Sequence, residues 1–142
     1  MTERPNTGPH KLLLTVYAIF ILAAGARSGV QIVRDFDAAP VAYSLSVVAA
    51  ITYALGWVAI RRAAAGRRGF AAGMLWLELA GVLGVGTLSL ARPGWFPEAS
   101  VWSGYGVGYG FVPAVLPVAG LLWLQRQRTG DRYVMAPPNG SR

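Results

Sequence analysis

Four long apolar runs, separated by short polar segments, account for most of the chain. They cover residues 12–33, 41–60, 70–91 and 105–124. A helix of about 20 apolar residues, at 1.5 Å per residue, is long enough to cross the hydrocarbon core of a bilayer. The pattern therefore predicts an all-α fold class, a membrane-embedded bundle of four transmembrane helices.

Composition agrees with a membrane environment. Hydrophobic residues make up 54% of the chain and charged residues only 13%, which is too little charge to cover the surface of a soluble domain of this size. The domain organisation that follows is a cytoplasmic tail over residues 1–11, a transmembrane domain over residues 12–124, and a disordered basic cytoplasmic tail over residues 125–142.

The fourth run is the least regular. It contains Pro113 and Pro117, so we expect a kink in its helix. Within it, Gly106-Val107-Gly108-Tyr109-Gly110 resembles the selectivity filter of potassium channels, with Gly106 in place of the usual threonine. Only 14 residues remain from Phe111 to Leu124, too few for a pore-lining helix. Glycines for close packing or for a flexible helix start explain the segment better.

Basic residues lie mainly on one side of the predicted membrane. Ten of the thirteen lysines and arginines fall in the N-terminal tail, the loop 61–69 and the C-terminal tail, whereas Arg27, Arg34 and Arg92 lie on or near the other side. By the positive-inside rule both termini are cytoplasmic, and the protein is predicted in the cell inner (plasma) membrane. The lipid bilayer is thus the expected partner. Nucleic acid is not, because the basic residues flank apolar spans.

The first run has an alternative interpretation as a cleaved signal peptide. Ala24-Gly25-Ala26 follows an apolar stretch behind Lys11 and resembles a cleavage site, so that residues 1–26 would be removed. Against this, the apolar run continues to Val33. The other three spans keep their orientation in either case.

Small residues recur along one face of two runs. They are Ala42, Ser46, Ala50 and Ala54 in the second run, and Ala80, Gly84, Thr87 and Ala91 in the third. Such stripes let helix backbones approach closely in lipid. They predict helix-packing faces, mainly within the bundle, with self-association through one face as the alternative.

Glu78 is the main candidate for chemistry, because it lies near the middle of the third run, where a carboxylate is costly unless it faces protein or water. Arg27 lies inside the first run and must reach outward or find a partner. If the first and third helices are neighbours, Arg27 and Glu78 are close enough to pair. Gln31 shares the helical face of Arg27 and Arg34.

These residues define a candidate intramembrane polar site of Glu78, Arg27 and Gln31, with Asp35 at its mouth. Its role is a structural ion pair or a ligand or proton site; the third alternative is that Arg27 and Glu78 are unrelated groups. The simpler alternative is a neutral Glu78 hydrogen-bonded to a tyrosine or to a backbone carbonyl. An ion pair predicts strong coupling between substitutions of Arg27 and Glu78.

No other residues suggest catalysis or metal binding. The chain has no cysteine, and His10 is its only histidine, so neither a thiolate nucleophile nor a histidine-based metal site is expected. We predict no catalytic residue, no metal and no cofactor, and we do not expect an enzyme.

Twelve arginines against one lysine look like the coding bias of a high-GC genome. The segments Arg27-Ser28-Gly29-Val30-Gln31 and Ala39-Pro40-Val41-Ala42-Tyr43 resemble small uncharacterised integral membrane proteins of actinobacterial type. That resemblance implies no particular activity.

Two functions therefore remain open. The first is a small accessory or scaffold subunit that packs against a membrane-protein partner, or against itself as a homo-oligomer. The rival is a small transporter or channel with a polar path around Glu78 and Arg27.

Overall fold

Four helices make up most of the protein in the computed structural model, which describes residues 7–134. They are α1 (Thr7–Asp35), α2 (Pro40–Ala64), α3 (Arg68–Ala91) and α4 (Val112–Val134). The first three are long and apolar enough to cross a membrane, and α4 forms a fourth, bent candidate together with the 3-10 segment Ser103–Tyr109. The predicted all-helical fold class is confirmed.

Consecutive helices are antiparallel, and the connections from α1 to α2 and from α2 to α3 are short. Pro40 begins α2, where its fixed φ suits a first turn and its missing N–H is not needed. Gly66 turns the chain into α3 with a φ of +95°, a conformation that glycine adopts without strain. Each helix packs on the next, and α1 also touches α4. We call the end that holds residues 7–11, 61–68 and 125–134 the tail end, and the opposite end the loop end.

The buried side of α2 repeats at alternating intervals of four and three residues. Its members are Ala42, Ser46, Ala49, Tyr53, Gly56, Ile60 and Ala63. This spacing averages 3.5 residues, the period of helices that cross at a small left-handed angle. Residues spaced strictly by four instead move around the helix axis by about 40° with each step. Of the predicted packing face, Ala42 and Ser46 lie on the buried side, but Ala50 and Ala54 are only partly buried.

On α3 the predicted packing face points away from the bundle. Ala80 and Gly84 are exposed, and a Cβ built on Gly84 would meet no atom within 4 Å. The inward side holds Leu75, Glu78 and Val82 instead. Packing of this face within the bundle was therefore a wrong prediction, whereas self-association through it stays a prediction. Small residues occur on two faces of α3, and aromatic rings from elsewhere in the chain pack against Gly81 and Gly86 on the other one.

Those rings come from the segment that links α3 to α4, which folds back into the loop end of the bundle. Trp102 is 4% exposed and lies on Gly81, where an added Cβ would be 2.8 Å from the ring. Tyr105 lies on Gly86 so closely that a Cβ there would overlap its ring. Two glycines of α3 therefore leave the space into which two aromatic side chains of the link pack.

The fourth crossing is broken and not a continuous helix over 105–124. The axes of Ser103–Tyr109 and α4 differ by 98°. The chain turns at Gly110 and Phe111, whose φ angles of 61° and 59° are left-handed. The expected kink therefore lies before both prolines. Pro117 is accommodated inside α4.

Within the described residues, helices extend into both predicted tails. The helix α1 already begins at Thr7, and α4 continues through Val134, so residues 125–134 are helical and not disordered. An ion pair of 2.7 Å between Arg68 Nη1 and Asp131 Oδ2 ties this extension to the start of α3. The remainder of the two predicted tails, residues 1–6 and 135–142, lies outside the described residues.

Candidate functional site

Glu78 lies at the centre of the bundle with no solvent exposure. Tyr17, on α1, is equally buried, and its phenol O–H donates a 2.5 Å hydrogen bond to Glu78 Oε2. The carboxyl group is thus held by a tyrosine, as in the simpler of the two interpretations of the sequence. The hydrogen bond crosses from α1 to α3, with α2 packed against both helices.

Gly56 of α2 provides the space for this hydrogen bond. A Cβ built on Gly56 would overlap Glu78 Oε1 and lie 2.9 Å from Tyr17 Cε1. Glu78 Oε1 itself has no hydrogen-bond partner among the described residues. Only a residue without a side chain allows the carboxyl and the phenol to meet here, so three helices depend on one glycine.

A second buried hydrogen bond continues the polar core toward the loop end. The indole Nε1–H of Trp102 donates to Tyr53 Oη at 2.9 Å. The rings of Tyr17 and Tyr53 meet edge to face with their centroids 6.2 Å apart. Each polar group of these aromatic side chains therefore has a partner, as their burial requires.

Arg27 is not a partner of Glu78. Tyr17 and Glu78 lie at the same depth, and Arg27 follows Tyr17 by ten residues of helix, a rise of about 15 Å toward the loop end. Two extended side chains do not cover that distance together with the lateral separation of their helices. Among residues 7–134 the one ion pair is Arg68–Asp131, so the predicted pairing of Arg27 and Glu78 was wrong.

Arg27 instead fastens the link between α3 and α4 to α1. Its Nη2 donates to the carbonyl oxygen of Ala99 at 2.9 Å, and its Nη1 to Tyr109 Oη at 3.3 Å. Gln31 accepts from Arg27 Nε at 3.4 Å, which orients the guanidinium group. Two of the three predicted site residues, Arg27 and Gln31, therefore meet each other, while Glu78 belongs to a separate site.

A cavity of about 300 Å³ lies beside Arg27 at the loop end. Its polar lining includes Arg27, Tyr109, Ser100 and Ser103. The two serine hydroxyl groups bond to each other at 2.9 Å, and Arg27 already uses three donors, so the polar groups are largely occupied by one another. Asp35, expected at the mouth of such a pocket, is not part of the lining.

Glu78 was identified from the sequence, but Tyr17 and Gly56 were not. A tyrosine was proposed as a neutral partner for Glu78, and Tyr17 is the one tyrosine of the first run, so the sequence contained the information needed to name it. Nothing in the sequence distinguished Gly56 from the other glycines. Neither site brings together groups suited to acid–base catalysis, and no cluster of three metal-binding side chains occurs in residues 7–134.

Fold and site together define the class of this protein as an all-helical bundle with three or four helices able to cross a membrane. No protein-family model matches the chain, and neither a curated protein nor a solved structure matches it. The resemblance to actinobacterial membrane proteins therefore stays a prediction.

Proposed function

We propose that this chain is a multi-pass protein of the inner (plasma) membrane that serves as a small accessory or scaffold subunit. The excess of basic residues at the tail end supports a cytoplasmic location of both termini. The buried carboxyl of Glu78 then has a structural role. It joins α1 to α3 through Tyr17 and fixes the register of the bundle.

The observation that carries the proposal is the outward face of α3. Ala80, Gly84, Thr87 and Ala91 follow one another along it and are exposed. Lipid explains exposed leucines but gives no reason for a stripe of small residues, whereas a second helix packs most closely on such a stripe. A membrane helix of a larger protein, or of a second copy, is the occupant that this face fits.

The rival function, a transporter or channel through Glu78, Arg27 and Gln31, has less support. The carboxyl of Glu78 is enclosed by Tyr17 and Gly56, and it is separated from Arg27 by about 15 Å along the helix axis. A continuous polar path between them would require the Tyr17 hydrogen bond to break.

Affinity purification in a mild detergent tests the accessory function. Gly84→Leu places a large side chain on the outward face of α3 without touching the rest of the protein. Gly25→Leu is the matched control, because Gly25 is an exposed helical glycine of α1 with no atom within 4 Å of an added Cβ.

We expect the parent protein to co-purify with a membrane partner or as a dimer, and we expect Gly84→Leu, but not Gly25→Leu, to abolish this. Loss with Gly25→Leu alone would move the interface to α1. The transporter function would be favoured instead if the parent protein purifies alone, carries an ion or solute flux in liposomes, and loses that flux in Glu78→Gln.

A further inference from the structure

A groove of about 540 Å³ runs between the beginning of α1 and the second half of α4, at the tail end. Its deeper part is apolar and includes Leu12 and Leu122, which are 66% and 52% exposed. Arg126, Gln127 and Asp131 line its outer part, and the carboxylate of Asp131 is paired with Arg68. Arg126 follows Leu122 by about one turn of helix, a rise of about 6 Å. The groove therefore changes from apolar to cationic over the distance at which a bilayer changes from acyl chains to headgroups.

The wall of the groove contains a polar donor without an acceptor. Trp123 lines the groove and is 8% exposed, and its indole Nε1–H has no hydrogen-bond partner among residues 7–134. The ring of His10 stacks on it with a centroid distance of 5.3 Å and does not supply one. A buried donor left unpaired is costly, and a ligand in the groove that carries an acceptor would remove this cost.

Charge at the tail end favours an anion. Eight lysines and arginines lie here within the described residues, against one carboxylate, that of Asp131. They are Lys11, Arg61, Arg62, Arg67, Arg68, Arg126, Arg128 and Arg132. Asp131 is already paired with Arg68, so Arg126 has no carboxylate partner in this part of the chain. Basic side chains next to a membrane attract anionic lipid headgroups.

We propose that this groove binds one anionic phospholipid. One acyl chain lies on the apolar floor between Leu12 and Leu122, and the phosphate accepts hydrogen bonds from Arg126 at the rim. A glycerol ester oxygen, which lies just below the phosphate, accepts the free Nε1–H of Trp123. A soluble anion would satisfy Arg126 but would leave the apolar floor open, and a zwitterionic lipid would bring a second positive charge beside Arg126.

Native mass spectrometry of the protein released from bilayers provides the test. The bilayers contain phosphatidylcholine with an increasing fraction of phosphatidylglycerol, and the lipids retained per protein are counted. Arg126→Gln removes the cation at the rim. Arg132→Gln is the matched control, because it removes the same charge from the same helix but does not line the groove. Leu122→Trp fills the apolar floor and leaves all charges in place.

We expect one phosphatidylglycerol to be retained selectively by the parent protein and by Arg132→Gln. Arg126→Gln should weaken its retention by about fivefold, the value of one cation near a headgroup, and Leu122→Trp should reduce it as well. Equal losses in Arg126→Gln and Arg132→Gln would reduce the effect to diffuse attraction by the basic end. Equal retention of both lipids, or no effect of Leu122→Trp, would also overturn the proposal.

Discussion

Tyr17 of α1 donates a hydrogen bond to Glu78 of α3 at the centre of the bundle. This bond links two helices whose main packing partner is α2, the helix between them. In hydrocarbon a carboxyl group must find a partner within the protein, and Tyr17 supplies it. The bond therefore joins the middle of α1 to the middle of α3.

Removing the Tyr17 hydroxyl should destabilise the protein measurably. Tyr17→Phe leaves the carboxyl of Glu78 without a donor, and we expect the free energy of unfolding in mixed micelles to fall by about 1–2 kcal/mol. Glu78→Met in the Tyr17→Phe background should recover part of this loss, because an apolar pair needs no hydrogen bond. The two substitutions are thus expected to be coupled.

The control is a second double-mutant cycle, in which Arg27→Gln takes the place of Tyr17→Phe. Since Arg27 and Glu78 occupy separate sites, the effects of Arg27→Gln and Glu78→Met should add within about 0.5 kcal/mol. Strong coupling of this pair, together with additivity of Tyr17→Phe and Glu78→Met, would restore the ion pair that the sequence suggested.

Gly56 should be the glycine of α2 that tolerates no side chain. In Gly56→Ala the new methyl group overlaps Glu78 Oε1, and we expect a loss of about 1–3 kcal/mol in the free energy of unfolding. Gly73→Ala provides the comparison, because an added Cβ on Gly73 meets no atom within 4 Å. It should be neutral or stabilise α3 by up to about 1 kcal/mol. Similar effects of the two substitutions would show that the space at Gly56 is not required.

The packing of Trp102 on Gly81 should keep the link between α3 and α4 folded against the bundle. The chain has no cysteine, so a single thiol introduced by Ser100→Cys reports on the exposure of this link. Ser100 is 4% exposed, and the thiol should react slowly with maleimide. Adding Gly81→Leu displaces the ring of Trp102, and we expect labelling at least about tenfold faster. Adding Gly84→Leu, on the outward face, should leave the rate unchanged. Equal rates in all three proteins would mean that the ring does not hold the link.

The orientation can be read from two exposed positions at opposite ends of the bundle. Ala65 lies between α2 and α3 at the tail end, and Gly94 follows α3 at the loop end. In intact cells a membrane-impermeant maleimide should label Gly94→Cys and should label Ala65→Cys only after the membrane is opened. The reverse order would invert the proposed topology. Labelling of both positions in intact cells would contradict a crossing of the membrane by α3, the helix between them.

Hydropathy was enough to predict three of the four crossings, because a membrane-spanning helix must be apolar over its whole length whatever its neighbours are. It also identified Glu78, because a carboxyl group in such a run stands out. The link between α3 and α4 was not predictable in this way. Its path depends on Gly81 and Gly86 accepting two rings from residues 102 and 105, and on left-handed conformations at Tyr105 and Phe111, which the pattern of apolar residues does not encode.

The partner of Arg27 and the inner face of α3 were missed for the same reason. Arg27 bonds to Ala99 and Tyr109, which come close only after the link has folded back. The two small-residue faces of α3 are equivalent in sequence, and they become different when Trp102 covers Gly81. The helical extension of α4 likewise depends on Asp131 meeting Arg68, which precedes it by 63 residues.

The broken fourth crossing also affects how the protein is made. From Val112 to Leu124 the apolar part of α4 has 13 residues, about 20 Å of helix, against about 30 Å of hydrocarbon. On leaving the ribosome this segment is too short to partition into lipid by itself. We expect it to enter only once α3 is in the bilayer and Gly81 and Gly86 can receive the rings of Trp102 and Tyr105. We therefore expect a substitution at either glycine to leave the C-terminus on the opposite side of the membrane in part of the molecules.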